Sequence, residues 1–191
     1  MENSLRAALR PFQATAPLHD GKHAAVAIIL WGPHFELLLI RRAQDPNDPW
    51  SGHMALPGGR HEMTDVSLEA TAQRETLEEV GVRLQRAALL GNLQSRAVSG
   101  RSGAGGLWVT PFVYRMNGPR PVTQPDQREV AEIVWVPLSH LCAPESQTKH
   151  PHKTETGTTY FPAWKIGAHR VWGLTYGMLR ELLKHTKLQH L

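Results

Sequence analysis

Apolar residues fall into short runs that glycine, proline and polar residues separate. The run from Ala24 to Trp31 (AAVAIILW) is uninterrupted, as expected of a strand buried in a sheet. The turn Gly32-Pro33 separates it from a second run, Phe35 to Ile40 (FELLLI), so the two runs predict a β-hairpin. Further strands are predicted at Leu84 to Leu93, Leu107 to Tyr114 and Val130 to Val136.

Two longer segments have a helical pattern. Val66 to Val80 is predicted to begin after a cap at Thr64 or Asp65 and to end at Gly81. Trp172 to Leu183 predicts a terminal amphipathic helix. Because the strands come both as hairpins and on either side of a helix, the fold class is predicted as α/β (α+β), a mixed sheet with helices packed on it.

The length of 191 residues matches one domain. We predict an N-terminal lead-in over residues 1–22, with one short helix near Leu5 to Leu9. Residues 23–186 form the predicted domain, and residues 187–191 a C-terminal tail.

Polar segments between the apolar runs predict loops. The glycines of Ser99 to Gly106 (SGRSGAGG) lack the Lys-Ser/Thr ending of a phosphate-binding P-loop, which favours a mobile loop. Ala143 to Thr158 is polar and is predicted to be irregular, either a substrate-side insertion or a surface loop.

The amino-acid composition bears on the class of the protein and on its expected location in the cell. Apolar residues make up 41% and charged residues 20%, with no apolar run long enough for a membrane span and no apolar signal segment at the start. The single cysteine, Cys142, cannot form an internal disulfide, so we expect a structural thiol and a cytoplasmic location.

The formal charge of +4 is compatible with an anionic partner. The Lys and Arg residues are scattered, with no run longer than Arg41-Arg42, so we expect a small anionic substrate and no nucleic acid. No histidine has convincing zinc-site spacing. The sequence carries no signal for the oligomeric state.

Three glutamates form the most informative pattern. Glu75, Glu78 and Glu79 stand at i, i+3 and i+4, which places them on one face of the predicted helix. Such a cluster of oxygen ligands suits Mg²⁺ or Mn²⁺, although a lone motif of this kind is more often a solvated acidic face. Arg74 beside the cluster and the bare backbone of Gly58-Gly59 ahead of it favour the metal site.

The segment from Gly59 to Val82 resembles the Nudix box, Gly-x5-Glu-x7-Arg-Glu-U-x-Glu-Glu-x-Gly-U, where U is a bulky aliphatic residue. Its second half matches as Arg74-Glu75-Thr76-Leu77-Glu78-Glu79-Val80-Gly81-Val82, with Thr76 at an aliphatic position. In the first half, Asp65 stands where the family has Glu, and eight residues separate it from Arg74. The resemblance implies a Nudix-type α/β/α sandwich and hydrolysis of a pyrophosphate bond.

Within that family, the chain resembles the coenzyme A pyrophosphatase-like branch. The shared residues are Leu56-Pro57-Gly58-Gly59, Glu62, Asp65 and Thr71-Ala72-Gln73-Arg74-Glu75. The upstream signature of that branch is altered here, because Asp45 to Pro49 (DPNDP) replaces its middle arginine. The resemblance implies coenzyme A or a derivative as substrate, with ADP-ribose or a nucleoside-diphosphate sugar as the alternative.

The resemblance also implies roles for individual residues. Glu75, Glu78 and Glu79 are expected as metal ligands, with the Gly59 carbonyl as an additional one. Arg74 is expected to hold neighbouring carboxylates, and Asp65 to cap or orient the helix. We expect Glu62 to lie near a second metal and to contact the substrate. The backbone of Gly58 is expected to approach a metal or a substrate phosphate.

The general base and the substrate contacts have open alternatives. Glu78 could act as the base through a metal-bound water. Glu132 is the other candidate, because a carboxylate inside an apolar strand is costly to bury unless it has a function. The alternative is that the Glu132 side chain simply faces solvent. Arg41 and Arg42 are candidate phosphate ligands or solvated strand ends. The tryptophans could stack a base, but packing in the core is favoured for most of Trp108, Trp135 and Trp172.

Two other functions compete with hydrolysis. A catalytically inactive Nudix-fold binding module is disfavoured by the intact Arg74-Glu75 and Glu78-Glu79 pairs. An RNA-binding or decapping protein is disfavoured by the scattered basic charge.

Overall fold

A computed structural model describes residues 1–9, 22–48, 50–98, 106–154 and 157–186. The helices are α1 (Glu2–Ala8), α2 (Leu68–Val80) and α3 (Gly173–Lys184). The strands are β1 (Lys22–Trp31), β2 (Glu36–Arg42), β3 (Met54–Ala55), β4 (Gly58–Arg60), β5 (Leu89–Asn92), β6 (Arg96–Ala97), β7 (Leu107–Met116), β8 (Val130–Pro137), β9 (Gln147–Thr154), β10 (Gly157–Ile166) and β11 (His169–Trp172).

The main sheet is mixed, as the sequence predicts. Its central path within the described residues runs β3-β2-β1-β7-β5, while β4 pairs with β1, β6 with β7 and β8 with β2. Strands β1 and β7 are parallel along their whole length, from Lys22 opposite Leu107 to Trp31 opposite Met116. The predicted hairpin of β1 and β2 is confirmed by the pairs Leu30 with Leu37 and Trp31 with Glu36.

The apolar run of β1 is uninterrupted because helices cover both faces of the sheet. Side chains alternate along a strand, so Ile28 and Leu30 enter one apolar core while Ala27 and Ile29 enter the other. Helix α2 packs in the core of Ala27 and Ile29, and helices α1 and α3 pack in the opposite one. This is the expected α/β/α sandwich.

A second sheet replaces the irregular segment that was predicted over Ala143 to Thr158. Strand β9 covers Gln147–Thr154 and pairs antiparallel with β10, which pairs in turn with β11. The prediction was wrong because β9 has no apolar pattern of its own and pairs residue by residue with the neighbouring strand. The buried Trp164 of β10 packs on Tyr176 of α3, with ring centroids 4.2 Å apart.

Several predicted boundaries also change. The cap of α2 is Ser67, whose side chain accepts from the Ala70 amide, and not Thr64 or Asp65. The predicted strand Leu84 to Leu93 is reduced to Leu89–Asn92 after a 3₁₀ turn at Arg86–Ala88.

Some predicted segments cannot be compared with the structure. Residues 99–105 of the glycine-rich loop and the tail 187–191 lie outside the described residues. Among the described helices, none is long and apolar enough to span a membrane.

Replacement of Trp164 by alanine is expected to destabilise the protein by about 3–5 kcal/mol, because the change removes a buried ring from the contact between the second sheet and α3. Tyr160→Ala on the same strand removes a ring that is 63% exposed and should change stability by less than about 0.5 kcal/mol. Urea unfolding measures both, and equal effects would contradict this role of Trp164.

Candidate active site

Strand β4 and helix α2 bring two glycines against an acidic helix face. Gly59 pairs with Ala25 in the middle of the sheet. Seven residues after β4, α2 begins behind the Ser67 cap, and it ends at Gly81, whose left-handed backbone (φ 73°) favours glycine. The chain therefore folds back so that the backbone of β4 lies along the helix.

Neither glycine has room for a side chain. A Cβ on Gly58 would lie 2.2 Å from the Ala25 carbonyl oxygen, and φ is +148° there. A Cβ on Gly59 would lie 2.5 Å from the carboxyl carbon of Glu75. The Gly58 amide donates to Glu79 Oε2 at 2.7 Å. Glycine at both positions therefore lets the main chain of β4 and the carboxylates of α2 meet.

Arg74 joins two acidic side chains of α2 to the loop that precedes the helix. Its Nη1 donates to Glu75 Oε1 and to Glu78 Oε2, both at 2.9 Å. Its Nε and Nη2 donate to the two carboxylate oxygens of Asp65, both at 3.0 Å, and Nη2 also reaches the Arg60 carbonyl at 3.1 Å. One guanidinium thus fixes the loop, the end of β4 and the helix face together.

Asp65 orients Arg74 rather than capping the helix. Besides the two bonds from Arg74, Asp65 Oδ2 accepts from the Glu62 amide at 3.0 Å and from Thr71 Oγ1 at 2.9 Å. The Arg74 guanidinium holds the pKa of Asp65 well below its usual range, and Asp65 raises the pKa of Arg74. Asp65 and Arg74 are therefore both charged near neutral pH.

The surroundings of Glu79 offer little compensation for a negative charge on its carboxylate. Its side chain is 2% exposed, and burial raises the pKa of Glu79 to about 8, with a further increase from the nearby Glu75. The Gly58 amide and Arg42, whose Nη1 lies 4.0 Å from Glu79 Oε1, oppose that increase only in part. Burial likewise raises the pKa of Glu75, whereas the Glu78 side chain is 57% exposed.

The donor set suits a hard divalent cation. In the part of the chain that the structure describes, no three His, Cys, Asp or Glu side chains converge into a ready-made metal cage. Arg74 and the Gly58 amide hold the carboxylates instead. Oxygen ligands beside a buried carboxylate of raised pKa nevertheless match the chemistry of Mg²⁺ or Mn²⁺, because a cation would replace the charge compensation that burial removes.

The two arginines at the end of β2 have different partners. Arg42 Nη2 lies 2.7 Å from Asp48 Oδ2, and its Nη1 faces Glu79. Arg41 Nε instead donates to Glu132 Oε2 at 3.2 Å, and His169 Nε2 lies 3.1 Å from the same oxygen. Arg42 therefore meets the acidic helix, while Arg41 forms an ion pair with Glu132, and the His169 ring contacts the same carboxylate.

Two further predicted site residues lie toward solvent. The Glu62 side chain is 62% exposed, and its Oε1 lies 4.0 Å from Arg74 Nη1. The Glu132 side chain is 42% exposed, so its place inside an apolar strand is explained by partial exposure and by its ion pair.

Sequence reasoning missed three residues that hold this region together. Thr71 Oγ1 bonds to Asp65 and lies 2.9 Å from His61 Nδ1, and it belongs to the Thr-Ala-x-Arg-Glu motif, which contained the signal. Asp48 anchors Arg42 from within a loop that was considered only as a departure from the family pattern. His169 had no local signal, since the second sheet brings it to Glu132.

Comparison with known proteins places the chain in a family. The NUDIX domain model matches residues 21–156. The Nudix hydrolase NudL of Photorhabdus laumondii, itself uncharacterized, is 31% identical over 172 residues, which cover 88% of this chain and 87% of that protein. The chain therefore belongs to the Nudix family, and its similarity to Nudix hydrolases supports a pyrophosphohydrolase enzyme.

One further sequence relative and one solved structure are also similar to this chain. An uncharacterized protein of Schizosaccharomyces pombe is 41% identical over 116 residues, which cover 59% of this chain and only 35% of that relative. The crystal structure of a MutT/nudix family protein from Enterococcus faecalis superposes with a TM-score of 0.57 at 20% identity, covering 91% of this chain and 63% of that one. This likeness supports the fold.

Glu79→Gln is expected to stabilise the metal-free protein at neutral pH. Because the pKa of Glu79 rises from 4.5 to about 8 on folding, the folded state keeps a proton that the unfolded state releases, and the stability of the protein falls as the pH rises through that interval. Glutamine keeps an oxygen acceptor for the Gly58 amide and carries no charge. Thermal unfolding in EDTA should show a variant that is more stable at pH 7.5 and not at pH 4.5.

Added Mg²⁺ or Mn²⁺ should reverse that order. Ligand binding to the folded state raises its stability, so the wild type should gain several degrees and Glu79→Gln much less. Equal gains in both proteins would remove Glu79 from the metal site.

Proposed function

We propose that the protein hydrolyses a pyrophosphate bond in a nucleoside diphosphate linked to another moiety, with Mg²⁺ or Mn²⁺ as cofactor. The observation that carries the proposal is the acidic face of α2, with Glu79 buried and packed against the bare backbone of Gly58 and Gly59. Glu75, Glu78, Glu79 and the Gly59 carbonyl would hold the metal. Bound there, the cation would neutralise phosphate oxygens and lower the pKa of a water molecule.

The groups around the carboxylates would position the reacting atoms. Arg74 keeps Glu75 and Glu78 in fixed orientations, and Asp65 keeps Arg74 in place. Glu78 is the preferred general base, because it is solvent-exposed at the acidic face and can accept a proton from a water at that surface. Glu132 is the second candidate, already paired with Arg41 and His169.

Arginine side chains supply the complementary positive charge. Arg42 lies at the edge of the acidic face, where its guanidinium can bind a phosphate oxygen alongside Glu79. Arg41 would serve as a second phosphate ligand once it exchanges Glu132 for substrate. Gly58 and the exposed Glu62 would border the bound substrate.

Coenzyme A or a derivative is the proposed substrate, on the resemblance of Leu56-Pro57-Gly58-Gly59, Glu62 and Thr71 to Glu75 to the coenzyme A pyrophosphatase-like branch. ADP-ribose or a nucleoside-diphosphate sugar is the second candidate, because the loop holding Asp48 replaces an arginine of that branch and binds Arg42. A small nucleotide-type partner in the cytoplasm is proposed, in keeping with the single cysteine and the scattered basic charge.

Glu78→Gln should lower kcat at least about 100-fold, with the fold unchanged, because the exposed side chain contributes little to the core. The substrates are coenzyme A, ADP-ribose, a sugar nucleotide, a dinucleoside polyphosphate and a nucleoside triphosphate, each assayed with Mg²⁺ or Mn²⁺ for released phosphate products. Glu145→Gln, on an exposed 3₁₀ turn, is the matched control and should retain full activity.

The pattern of turnover decides between the candidates. Selective cleavage of coenzyme A supports the proposed substrate, whereas preference for ADP-ribose or a sugar nucleotide replaces it with the second candidate. Full activity in folded Glu78→Gln would contradict the site. No turnover of any substrate, with metal bound, would make the chain an inactive binding module.

A further inference from the structure

Five aromatic side chains form a cluster outside the acidic site, named here the ring cluster: His53, His150, His152, Phe161 and Trp172. The His150 ring stacks on Trp172 with centroids 4.0 Å apart and an interplanar angle of 11°. His53, His152 and Phe161 surround the same tryptophan at 5.2, 5.5 and 5.9 Å. His152 and Phe161 are also in edge contact, with centroids 5.8 Å apart.

Strand register explains why these rings share one surface. His150 stands opposite Phe161 in the pairing of β9 with β10, and His152 lies two residues further along β9 on the same face. Trp172 stands opposite Ala163, two residues from Phe161, and so joins them from β11. His53 comes from the main sheet, immediately before β3.

The cluster is layered, with an inner and an outer part. His53, His150 and Trp172 are half-buried, and burial lowers the pKa of both His53 and His150, so these rings are uncharged near neutral pH. The outer rings are exposed: Phe161 is 39% accessible and His152 is exposed as well. A cluster that served only to join the two sheets would bury all of its rings. In this cluster, Phe161 and His152 face solvent and pack on the half-buried Trp172.

The ring cluster is connected to the acidic site through one strand pairing. The Arg42 amide donates to the His53 carbonyl at 3.0 Å, and the Arg42 guanidinium faces Glu79. His53 of the ring cluster is therefore the neighbour of Arg42 across the strand pairing, and a phosphate bound at Arg42 would lie near the ring cluster. An aromatic platform next to a phosphate site matches a nucleotide, in which a heteroaromatic base follows the phosphate and ribose.

We propose that the exposed rings of Phe161 and His152 stack the heteroaromatic base of the nucleotide substrate, and that Trp172 supports them from below. The proposal rests on the proposed function and deepens it, since it assigns the base to residues of the second sheet. Phe161 is then a specificity-determining residue that selects substrates bearing a base.

The test measures binding without turnover. Adenosine 5′-monophosphate and ribose 5-phosphate, which lacks the base, are titrated in the presence of Mg²⁺ into wild type, Phe161→Ala, Phe161→Tyr and Tyr160→Ala. Tyr160 is the matched control, since it is the neighbouring exposed aromatic residue and points to the other face of β10. Calorimetry gives the affinities, and the fluorescence of the protein's tryptophans, Trp172 among them, gives an independent signal.

Phe161→Ala should weaken adenosine monophosphate binding about tenfold, with affinity retained in Phe161→Tyr and in the Tyr160 control. Ribose 5-phosphate should bind all four proteins alike. Adenosine monophosphate affinity that is absent from the wild type, or equal in wild type and Phe161→Ala, would overturn the proposal. Equal loss of both ligands in Phe161→Ala would overturn it too, since the effect would then not depend on the base.

Hydrolysis assays on wild type and Phe161→Ala distinguish failure of this inference from failure of the proposed function. If base-bearing substrates are cleaved with the same KM by Phe161→Ala and wild type, the ring cluster is not the base site, while the hydrolase stands. If adenosine monophosphate binding depends on Phe161 and no substrate is cleaved, the base site stands and the proposed reaction fails.

Discussion

The guanidinium of Arg74 lies between two sets of carboxylates that would otherwise repel one another. It takes both oxygens of Asp65 on one side and one oxygen each of Glu75 and Glu78 on the other. Its bond to the Arg60 carbonyl ties the same group to β4. Loss of the Arg74 charge would leave the carboxylates of Asp65, Glu75 and Glu78 without their shared partner, so the orientation of these side chains depends on it.

A second constraint is the absence of side chains at Gly58 and Gly59. Their backbone approaches Glu79 and Glu75 so closely that any Cβ would collide with main chain or carboxylate. Glu79 is consequently buried beside an amide, with a pKa of about 8, and its charge is stabilised only in part. A bound cation would supply the missing compensation, and this is the physical basis of the proposed metal site between β4 and α2.

Much of this arrangement could be predicted from local sequence. The uninterrupted run of β1 indicated a strand covered on both faces, and the spacing of Glu75, Glu78 and Glu79 indicated one acidic helix face. Strand β9 could not be predicted, because its polar residues become a strand only by pairing with β10. The contacts of His169 with Glu132, and of His53 with Trp172, join residues far apart in the chain and have no local signature.

The central claim is that a divalent cation binds between the acidic face of α2 and the backbone of β4. Crystals of the wild-type protein grown with Mn²⁺, measured for anomalous scattering, test it most directly. The account predicts an anomalous peak within coordination distance of the Glu75 and Glu79 carboxylates, beside Gly59. A protein that cleaves its substrate while its manganese peaks lie only elsewhere, away from these carboxylates, would contradict the account.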